Sequence, residues 1–213
     1  MKISTHHIAT TVHGRCLIAS PDWAAPTGWL VGFHGYAESA QEQLERLLPI
    51  APDGWGCCSV QALHPFYRKD GSIVASWMTK LDRELAIEDN VNYIRQSIEA
   101  IRGSTHEPPV WLVGFSQGAA MAFRAAFFVQ PKVDGVIAVG GELPPELRSL
   151  PAPAGVQLLL CRGSDDPHYT QAQWDADIAI LRSNGAMLDT LEYRGEHPWN
   201  DILQEKLRCY LGQ

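Results

Sequence analysis

Short, continuous runs of apolar residues recur along the chain. Runs of this kind, without alternating polar positions, are typical of strands that are buried on both faces of a sheet. The predicted strands cover residues 30–33, 57–62, 110–113, 133–139, 156–161 and 187–193. The pattern therefore predicts a central sheet that is covered on both sides.

Stretches with helical periodicity separate these runs. Between the second and third runs, apolar residues recur at spacings of four and three, as on one face of an amphipathic helix. These residues are Ile87, Val91, Ile94, Ile98 and Ile101. Capping boxes at Ser39–Glu42 and Thr170–Gln173, an alanine-rich segment after Gly118 and a final apolar stripe around Leu203 predict further helices.

Two segments depart from this alternation. Residues 3–19 alternate loosely around His13-Gly14, which predicts an antiparallel hairpin at the edge of the sheet. Residues 64–78 form a predicted long loop that is rich in aromatic side chains. Such a loop is either a packed cover or the wall of a binding site. A contact in a homodimer is an equal alternative for the same loop.

The order of these elements predicts the fold class. Strands that alternate with helices give an α/β fold with a mostly parallel central sheet and helices on both faces. A chain of 213 residues closes one core, so we expect residues 1–213 to form a single domain. In such sheets, functional groups collect beyond the carboxyl ends of the strands.

Composition excludes several classes of function. The net charge of -7, without a lysine- or arginine-rich run, argues against binding to nucleic acid. No apolar run has the length of a signal peptide or a membrane span, so we expect a cytoplasmic protein without stable membrane insertion. The 5 cysteines are an odd number and lack zinc spacing. We therefore expect reduced thiols and no metal.

The best candidate for chemistry is Ser116. Gly114-Phe115-Ser116-Gln117-Gly118 has the form G-x-S-x-G and lies between a predicted strand and a predicted helix. In that context a sharp turn holds the serine hydroxyl clear of the sheet. The start of the following helix favours a developing negative charge. Ser116 is therefore a predicted nucleophile.

A serine nucleophile needs a base in contact with it and an acidic group that orients the base. Asp165 and Asp166 follow one predicted strand, and His197 follows the last one. The chain order serine, aspartate, histidine is that of the α/β-hydrolases. From position alone, Asp165 stays an alternative to Asp166, and His168 is the main alternative to His197.

These motifs together resemble the α/β-hydrolase superfamily, and specifically its phospholipase/carboxylesterase group, which includes the acyl-protein thioesterases. The resemblance spans about residues 28–210 and rests on F-H-G-Y, G-F-S-Q-G, G-S-D-D-P and G-E-H. It implies an α/β-hydrolase fold, with Ser116 as nucleophile, His197 as general base and acid, and Asp166 as the orienting carboxylate. It also implies an oxyanion hole formed by the backbone N–H groups of Tyr36 and Gln117.

The resemblance further implies a carboxylesterase that needs no cofactor. No long insertion separates the predicted strands at 133–139 and 156–161, where larger relatives carry a lid domain. We therefore expect small-molecule esters of small to medium acyl chains as substrates. The residues expected to line the substrate pocket are His34, Phe66, Trp77 and Met78. Of these, His34 also suits a structural role, in which it fixes the oxyanion loop by hydrogen bonding.

Three positions depart from the group's pattern. Ala37 stands where a second glycine is frequent, Arg162 where a histidine is frequent, and Gly140-Gly141 where Ser-Gly is frequent. All three border the expected pocket, so they leave the substrate open. Two alternatives remain: a thioesterase that acts on acyl-thiol or acyl-protein substrates, and a hydrolase fold that binds ligands without catalysis.

Overall fold

The computed structural model describes residues 1–102, 108–129 and 132–212. Its described strands are β1 Arg15–Ala19, β2 Trp29–Phe33, β3 Gly56–Gln61, β4 His64–Tyr67, β5 Ile73–Ser76, β6 Val110–Phe115, β7 Gly135–Val139, β8 Gln157–Gly163 and β9 Met187–Tyr193. Its described α-helices are α1 Ala40–Leu47, α2 Arg83–Arg102, α3 Gln117–Phe128, α4 Gln171–Ser183 and α5 Asp201–Leu211.

Seven of the described strands form the central sheet, in the order β1-β3-β2-β6-β7-β8-β9. All neighbouring pairs are parallel except β1 with β3, which is antiparallel. The predicted mostly parallel α/β sheet is therefore confirmed. Strand β6, which leads to Ser116, lies in the middle of the sheet between β2 and β7.

Two hydrophobic clusters cover the two faces of this sheet, because successive side chains of a strand point to opposite sides. In β6, Leu112 belongs to one cluster and Val113 to the other. The first cluster includes buried residues of α2, α3 and α4, and the second includes buried residues of α1 and α5. The predicted placement of helices on both faces is thus confirmed.

Local sequence signals set the helix boundaries. Ser39 and Thr170 begin α1 and α4, and both form the predicted capping boxes with the residue three positions later. Ile94, Ile98 and Ile101 of the predicted stripe on α2 are buried in the first cluster. These elements depend on spacing within one segment, which the sequence displays directly.

The predicted hairpin at residues 3–19 is wrong. Only Arg15–Ala19 forms a strand in this segment, and it pairs with β3 rather than with the residues before it. The side chains of residues 1–14 are exposed. Loose alternation without a face to bury does not stabilise a pair of strands.

The segment 64–78 is a hairpin rather than a long loop. Strands β4 and β5 pair antiparallel, from His64 opposite Ser76 to Tyr67 opposite Ile73. The turn between them contains Gly71 at a φ of 83°. The Asp70-Gly71 pair between two runs of apolar residues is a hairpin signal that our sequence analysis missed.

Residues 140–156, between β7 and β8, contain only the short 3-10 helix Pro145–Leu147. The expected absence of a large lid at this position therefore agrees with the fold. Within the described ranges, no helix has both the length and the apolar character needed to cross a bilayer.

Candidate active site

Ser116 occupies a sharp turn between β6 and α3. Its backbone has a φ of 52° and a ψ of -117°, a conformation that is strained for any residue with a side chain. The Ser116 N–H donates a hydrogen bond to the Val139 carbonyl at 2.8 Å. The turn thus holds the serine at the carboxyl end of the central strand, as its motif predicts.

The two glycines of the motif allow the backbone to approach closely at this turn. A Cβ atom on Gly118 would lie 2.1 Å from the Phe33 carbonyl oxygen, and one on Gly114 would lie 2.3 Å from the Gly118 carbonyl oxygen. Both distances are shorter than those at which Cβ atoms are found in proteins, so glycine is required at each position. The start of α3 consequently packs directly against the end of β2.

A continuous chain of hydrogen bonds links Ser116, His197 and Asp166. His197 Nε2 lies 3.0 Å from Ser116 Oγ, and His197 Nδ1 lies 2.8 Å from Asp166 Oδ2. A carboxylate can only accept hydrogen bonds, so the Nδ1 atom of His197 carries the proton. The Nε2 atom therefore presents its lone pair to the serine hydroxyl.

Backbone groups fix Asp166 in this arrangement. The residue is only 3% exposed, and its Oδ1 atom accepts hydrogen bonds from the N–H groups of His168 and Tyr169 at 2.8 and 2.9 Å. Its second oxygen is then directed to His197. Such a carboxylate holds the imidazole in one tautomer and one orientation.

The alternatives to Asp166 and His197 occupy different positions. Asp165 is exposed, and its carboxylate accepts a hydrogen bond from the Ser164 hydroxyl at 2.8 Å. His168 is also exposed, and its ring packs edge-on against His197 with centroids 4.9 Å apart. The chain of hydrogen bonds to Ser116 therefore passes through Asp166 and His197.

The turn after β2 carries the other group expected in the oxyanion hole. The Gly35 N–H donates to Glu38 Oε2 at 2.7 Å, and the Ala37 N–H donates to the Ala75 carbonyl at 3.0 Å. The Tyr36 N–H between them has no acceptor among the residues that the structure describes. At the start of α3, Gln117 likewise supplies one of the N–H groups that lack intrahelical acceptors.

An ion pair supports this turn. Glu38 accepts hydrogen bonds from both terminal nitrogens of Arg46, and the Arg46 guanidinium lies 4.5 Å above the Phe115 ring. Burial raises the pKa of Glu38, but the Arg46 hydrogen bonds and charge outweigh it, and the pKa is lowered. Glu38 therefore remains an ionised carboxylate, which accepts the hydrogen bond from the Gly35 N–H.

The family follows from comparison with known proteins. Residues 71–198, more than half of the chain, match the model of the Phospholipase/Carboxylesterase family. The chain belongs to the phospholipase/carboxylesterase family. A comparison with curated protein sequences found no match. The α/β-hydrolase fold implied by the sequence motifs is confirmed by solved structures.

Three of those structures illustrate the likeness. Esterase PE8 is 19% identical with a TM-score of 0.72, and the match covers 94% of this chain and 98% of that one. The Bacillus cereus carboxylesterase is 15% identical with a TM-score of 0.74, and the match covers 93% of each chain. The Zea mays acyl-protein thioesterase 2 is 17% identical with a TM-score of 0.71, with 93% and 98% covered. At these identities the likeness is one of fold.

In this family member, a cavity of about 340 Å³ opens beside Ser116. One face of α3, the loop after β7 and the two adjacent histidines form its walls. The lining residues are Ser116, Gln117, Ala120, Arg124, Gly140, Gly141, Glu142, Leu143, Pro144, Pro145, His168 and His197. The glycine pair is required here, because Gly140 has a φ of 60° and a Cβ on Gly141 would lie 2.5 Å from the Ser116 carbonyl.

The four residues predicted to line the pocket lie outside this set, and two of them are fully buried. The Trp77 indole N–H donates to the His34 carbonyl at 2.8 Å, and both side chains are 0% exposed. Buried side chains of this kind support the turn after β2 and do not form an open wall. For His34 and Trp77 the predicted pocket role is therefore corrected to a supporting one.

His34 has a defined protonation state. Its Nε2 atom accepts a hydrogen bond from the Ala62 N–H at 3.1 Å, so its Nδ1 atom carries the proton and donates to the Gly35 carbonyl at 2.7 Å. Burial lowers the pKa of His34. A neutral imidazole thus holds the turn, in agreement with the structural role considered for this residue.

Phe66 and Met78 lie beside the site. Phe66 is half-buried in β4, and its ring centroid lies 5.7 Å from that of Tyr36. The Met78 carbonyl accepts a hydrogen bond from the Gln117 side chain at 3.0 Å, and the Gln117 Oε1 atom accepts from the Trp77 N–H at 3.0 Å. The Gln117 side chain thus joins the turn at Ser116 to the segment after β5.

Sequence reasoning missed the part of the cavity wall that Arg124 and residues 142–145 form. Arg124 and the loop 142–145 were not among the predicted site residues. One available signal was the spacing of Arg124, which follows Ser116 by eight residues and is the single charged residue in an apolar helix. Within the described residues, no group of three or more His, Cys, Asp or Glu side chains is arranged to hold a metal ion.

Proposed function

We propose that this member of the phospholipase/carboxylesterase family hydrolyses carboxylic esters of small to medium acyl chains, with Ser116 as nucleophile. His197 is the general base and acid, and Asp166 orients it. The observation that carries this proposal is the chain of hydrogen bonds from Ser116 Oγ through His197 to Asp166, with distances of 3.0 and 2.8 Å. The strained serine turn at the start of α3 supports it.

The first half of the reaction acylates the enzyme. His197 Nε2 takes the proton of the Ser116 hydroxyl while the serine oxygen bonds to the ester carbonyl carbon. The carbonyl oxygen becomes an oxyanion. His197 then gives its proton to the alcohol oxygen, the bond from that oxygen to the acyl carbon breaks, and the alcohol leaves with the acyl group on Ser116.

The second half uses water in place of the serine hydroxyl. His197 Nε2 takes a proton from water, and the water oxygen bonds to the acyl carbon. The proton then passes to the Ser116 oxygen as its bond to the acyl carbon breaks. One ester and one water give one carboxylic acid and one alcohol, and the enzyme returns to its starting state.

The oxyanion is assigned to the N–H groups of Tyr36 and Gln117. Two observations support this assignment: the Tyr36 N–H lacks an acceptor among the described residues, and Gln117 is the first residue of α3. The positive end of a helix dipole adds to the stabilisation of negative charge. Loss of one donor from such a site typically lowers kcat by about 100- to 1000-fold.

The size of the cavity supports substrates of limited length. A volume of about 340 Å³ is at the small end of ligand sites, and the loop after β7 adds no lid domain over it. We expect kcat/KM to be highest for short or medium nitrophenyl esters. A clear preference for emulsified long-chain triglycerides would contradict this part of the proposal.

The experiment that tests the function combines covalent labelling with turnover. A fluorophosphonate probe is added to the wild type and to the Ser116→Ala variant, and hydrolysis of a short nitrophenyl ester is followed in parallel. Both signals should be present in the wild type and absent in the variant. A folded wild type that binds ester analogues but is not labelled would instead indicate a ligand-binding protein.

The same groups would attack a thioester, whose carbonyl carbon reacts with the serine in the same way. Matched ester and thioester substrates with one acyl group therefore belong in the same assay. The ratio of their kcat/KM values assigns the preferred leaving group. Ser116→Ala should abolish both activities, because one nucleophile serves both.

A further inference from the structure

Arg124 is a buried cation in the wall of the cavity beside Ser116. Its side chain is 4% exposed, and among the lining residues it is the one arginine or lysine. Ser116 directly precedes α3, and Ala120 and Arg124 follow it by four and eight residues, on the side of the helix that faces the cavity. All three line the cavity. The small Ala120 side chain leaves the space between the other two open.

The Arg124 guanidinium is only partly satisfied by the protein. Its Nε atom donates to Glu146 Oε1 at 2.7 Å, and its Nη1 atom lies 3.5 Å from the Met121 sulfur, which is a weak acceptor. The Nη2 atom has no acceptor among the described residues. The two terminal nitrogens, which can donate two parallel hydrogen bonds to a carboxylate, therefore lack a strong acceptor among the described residues.

The charges on this side of the cavity are unbalanced. Glu146 also accepts a hydrogen bond from Arg83 at 2.9 Å, so two guanidinium groups share one carboxylate. Burial lowers the pKa of Arg124, which means that its charge is poorly solvated. An anion in the cavity would stabilise that charge.

The other wall of the cavity has a different charge. Glu142 lines the cavity, but its side chain is 48% exposed and lies 3.7 Å from Arg148. Arg148 also pairs with the buried Asp177 at 2.8 Å, so two carboxylates share this guanidinium. The cavity thus has a positive side at α3 and a negative side at Glu142, which directs an anionic group to Arg124.

The distance along α3 suits a short substrate. Eight residues of helix separate the Cα atoms of Ser116 and Arg124 by about 12 Å. Helical side chains lean toward the N-terminus of the helix. The Arg124 Nη1 atom accordingly lies 3.5 Å from the sulfur of Met121, three residues back along α3 in the direction of Ser116. We infer that Arg124 binds a carboxylate on the substrate, and that the preferred substrates are acidic esters rather than simple alkyl esters. This inference rests on the proposed esterase function.

The test compares matched substrates with and without the charge. One is the nitrophenyl half-ester of adipic acid, and its neutral isostere has an isopropyl group in place of the free carboxylate. A second pair places the charge on the alcohol side, as acetate esters of a phenol that bears a carboxymethyl or an isobutyl group. The rate measured with the Ser116→Ala protein is subtracted from each rate as the background hydrolysis. A preference for the acid in either pair supports the inference and shows on which side of the ester the charge lies.

Substitutions test whether Arg124 causes the preference for the acidic substrate. Arg124→Gln should lower kcat/KM for the acidic substrate by about 10-fold or more relative to its isostere, mainly through KM, and Arg124→Lys should retain part of the preference. Arg95→Gln, on the exposed face of α2, changes the net charge equally and should leave the ratio unchanged. Glu146→Gln keeps Arg124, removes its competing carboxylate and should raise the ratio.

The outcomes separate this inference from the proposed function. If the wild type hydrolyses the neutral esters without preferring either acid, the inference is wrong and the esterase proposal stands. Equal losses for acidic and neutral substrates in Arg124→Gln, with no rise in Glu146→Gln, would show that Arg124 acts only as a structural ion pair. A wild type that hydrolyses none of the four esters overturns both.

Discussion

The hydroxyl of Tyr169 donates a hydrogen bond to the carboxylate of Asp177 at 3.0 Å. The backbone N–H of Tyr169 also donates to Asp166, and the same Asp177 oxygen accepts from the N–H of Leu143 in the cavity wall. The Asp177 side chain is 0% exposed. One buried carboxylate therefore ties together the segment that orients Asp166 and the loop that lines the cavity.

Asp177→Asn should weaken both the fold and the activity. An amide cannot accept all the hydrogen bonds that the carboxylate accepts, which should lower the free energy of unfolding by about 1–3 kcal/mol. Displacement of Asp166 and of the cavity loop should lower kcat by about 10- to 100-fold. Tyr169→Phe is the matched control, since it keeps the N–H to Asp166 and should lose only about 1 kcal/mol. Urea denaturation and ester kinetics measure these effects.

Asp166→Asn should lower kcat by about 10000-fold without a comparable change in KM, because an amide does not hold His197 in the required tautomer. Asp165→Asn is the control with the same change in charge and in the adjacent position. It should stay near wild-type activity, since Asp165 is exposed and contacts Ser164. Equal losses in the two variants would contradict the assignment of Asp166.

The buried His34 should make the stability of the protein depend on pH. Burial lowers its pKa from 6.5, so the unfolded chain binds a proton more readily than the folded protein does. The stability contribution of neutral His34 is present above pH 6.5 and is lost as the pH falls below it. Urea midpoints between pH 8 and pH 5 should therefore decrease more steeply for the wild type than for His34→Gln. Parallel curves for the two proteins would show that His34 does not contribute.

Gly118→Ala should disrupt the site although its backbone has an ordinary conformation. The new Cβ atom would lie 2.1 Å from the Phe33 carbonyl oxygen, so the turn after β2 and the start of α3 must separate. We expect a loss of about 3 kcal/mol in stability and the loss of most ester hydrolysis. Gly71→Ala is the contrasting control.

Gly71 has a φ of 83° and nothing within 4 Å of the position of a Cβ atom. Its replacement should cost about 1–2 kcal/mol through backbone strain and leave kcat unchanged. Thermal unfolding and initial rates on a nitrophenyl ester distinguish the two glycines. If Gly118→Ala retained wild-type kcat, the close contact between α3 and the turn after β2 would not be needed for activity.

The alternation of strands and helices was predictable because periodicity and capping are local properties. The continuous apolar run from Leu30 to Phe33 indicates a buried strand, and the spacing of the apolar residues on α2 indicates one buried helix face. The hairpin at β4 and β5 was missed, although Asp70-Gly71 marks its turn. The partner of β1 could not be predicted, because pairing with β3 depends on residues far along the chain.

The sequence by itself determined the fold class and the turn that presents Ser116, since both follow from patterns within short segments. Only the tertiary structure decided which groups meet at that turn. Ser116 and His197 are 81 residues apart in the chain. Asp165 and Asp166 have identical side chains, and they differ in what those side chains contact, which is Ser164 for Asp165 and His197 for Asp166. The burial of Trp77 and the position of Arg124 in the cavity wall were likewise set by packing between separate elements, which no local pattern records.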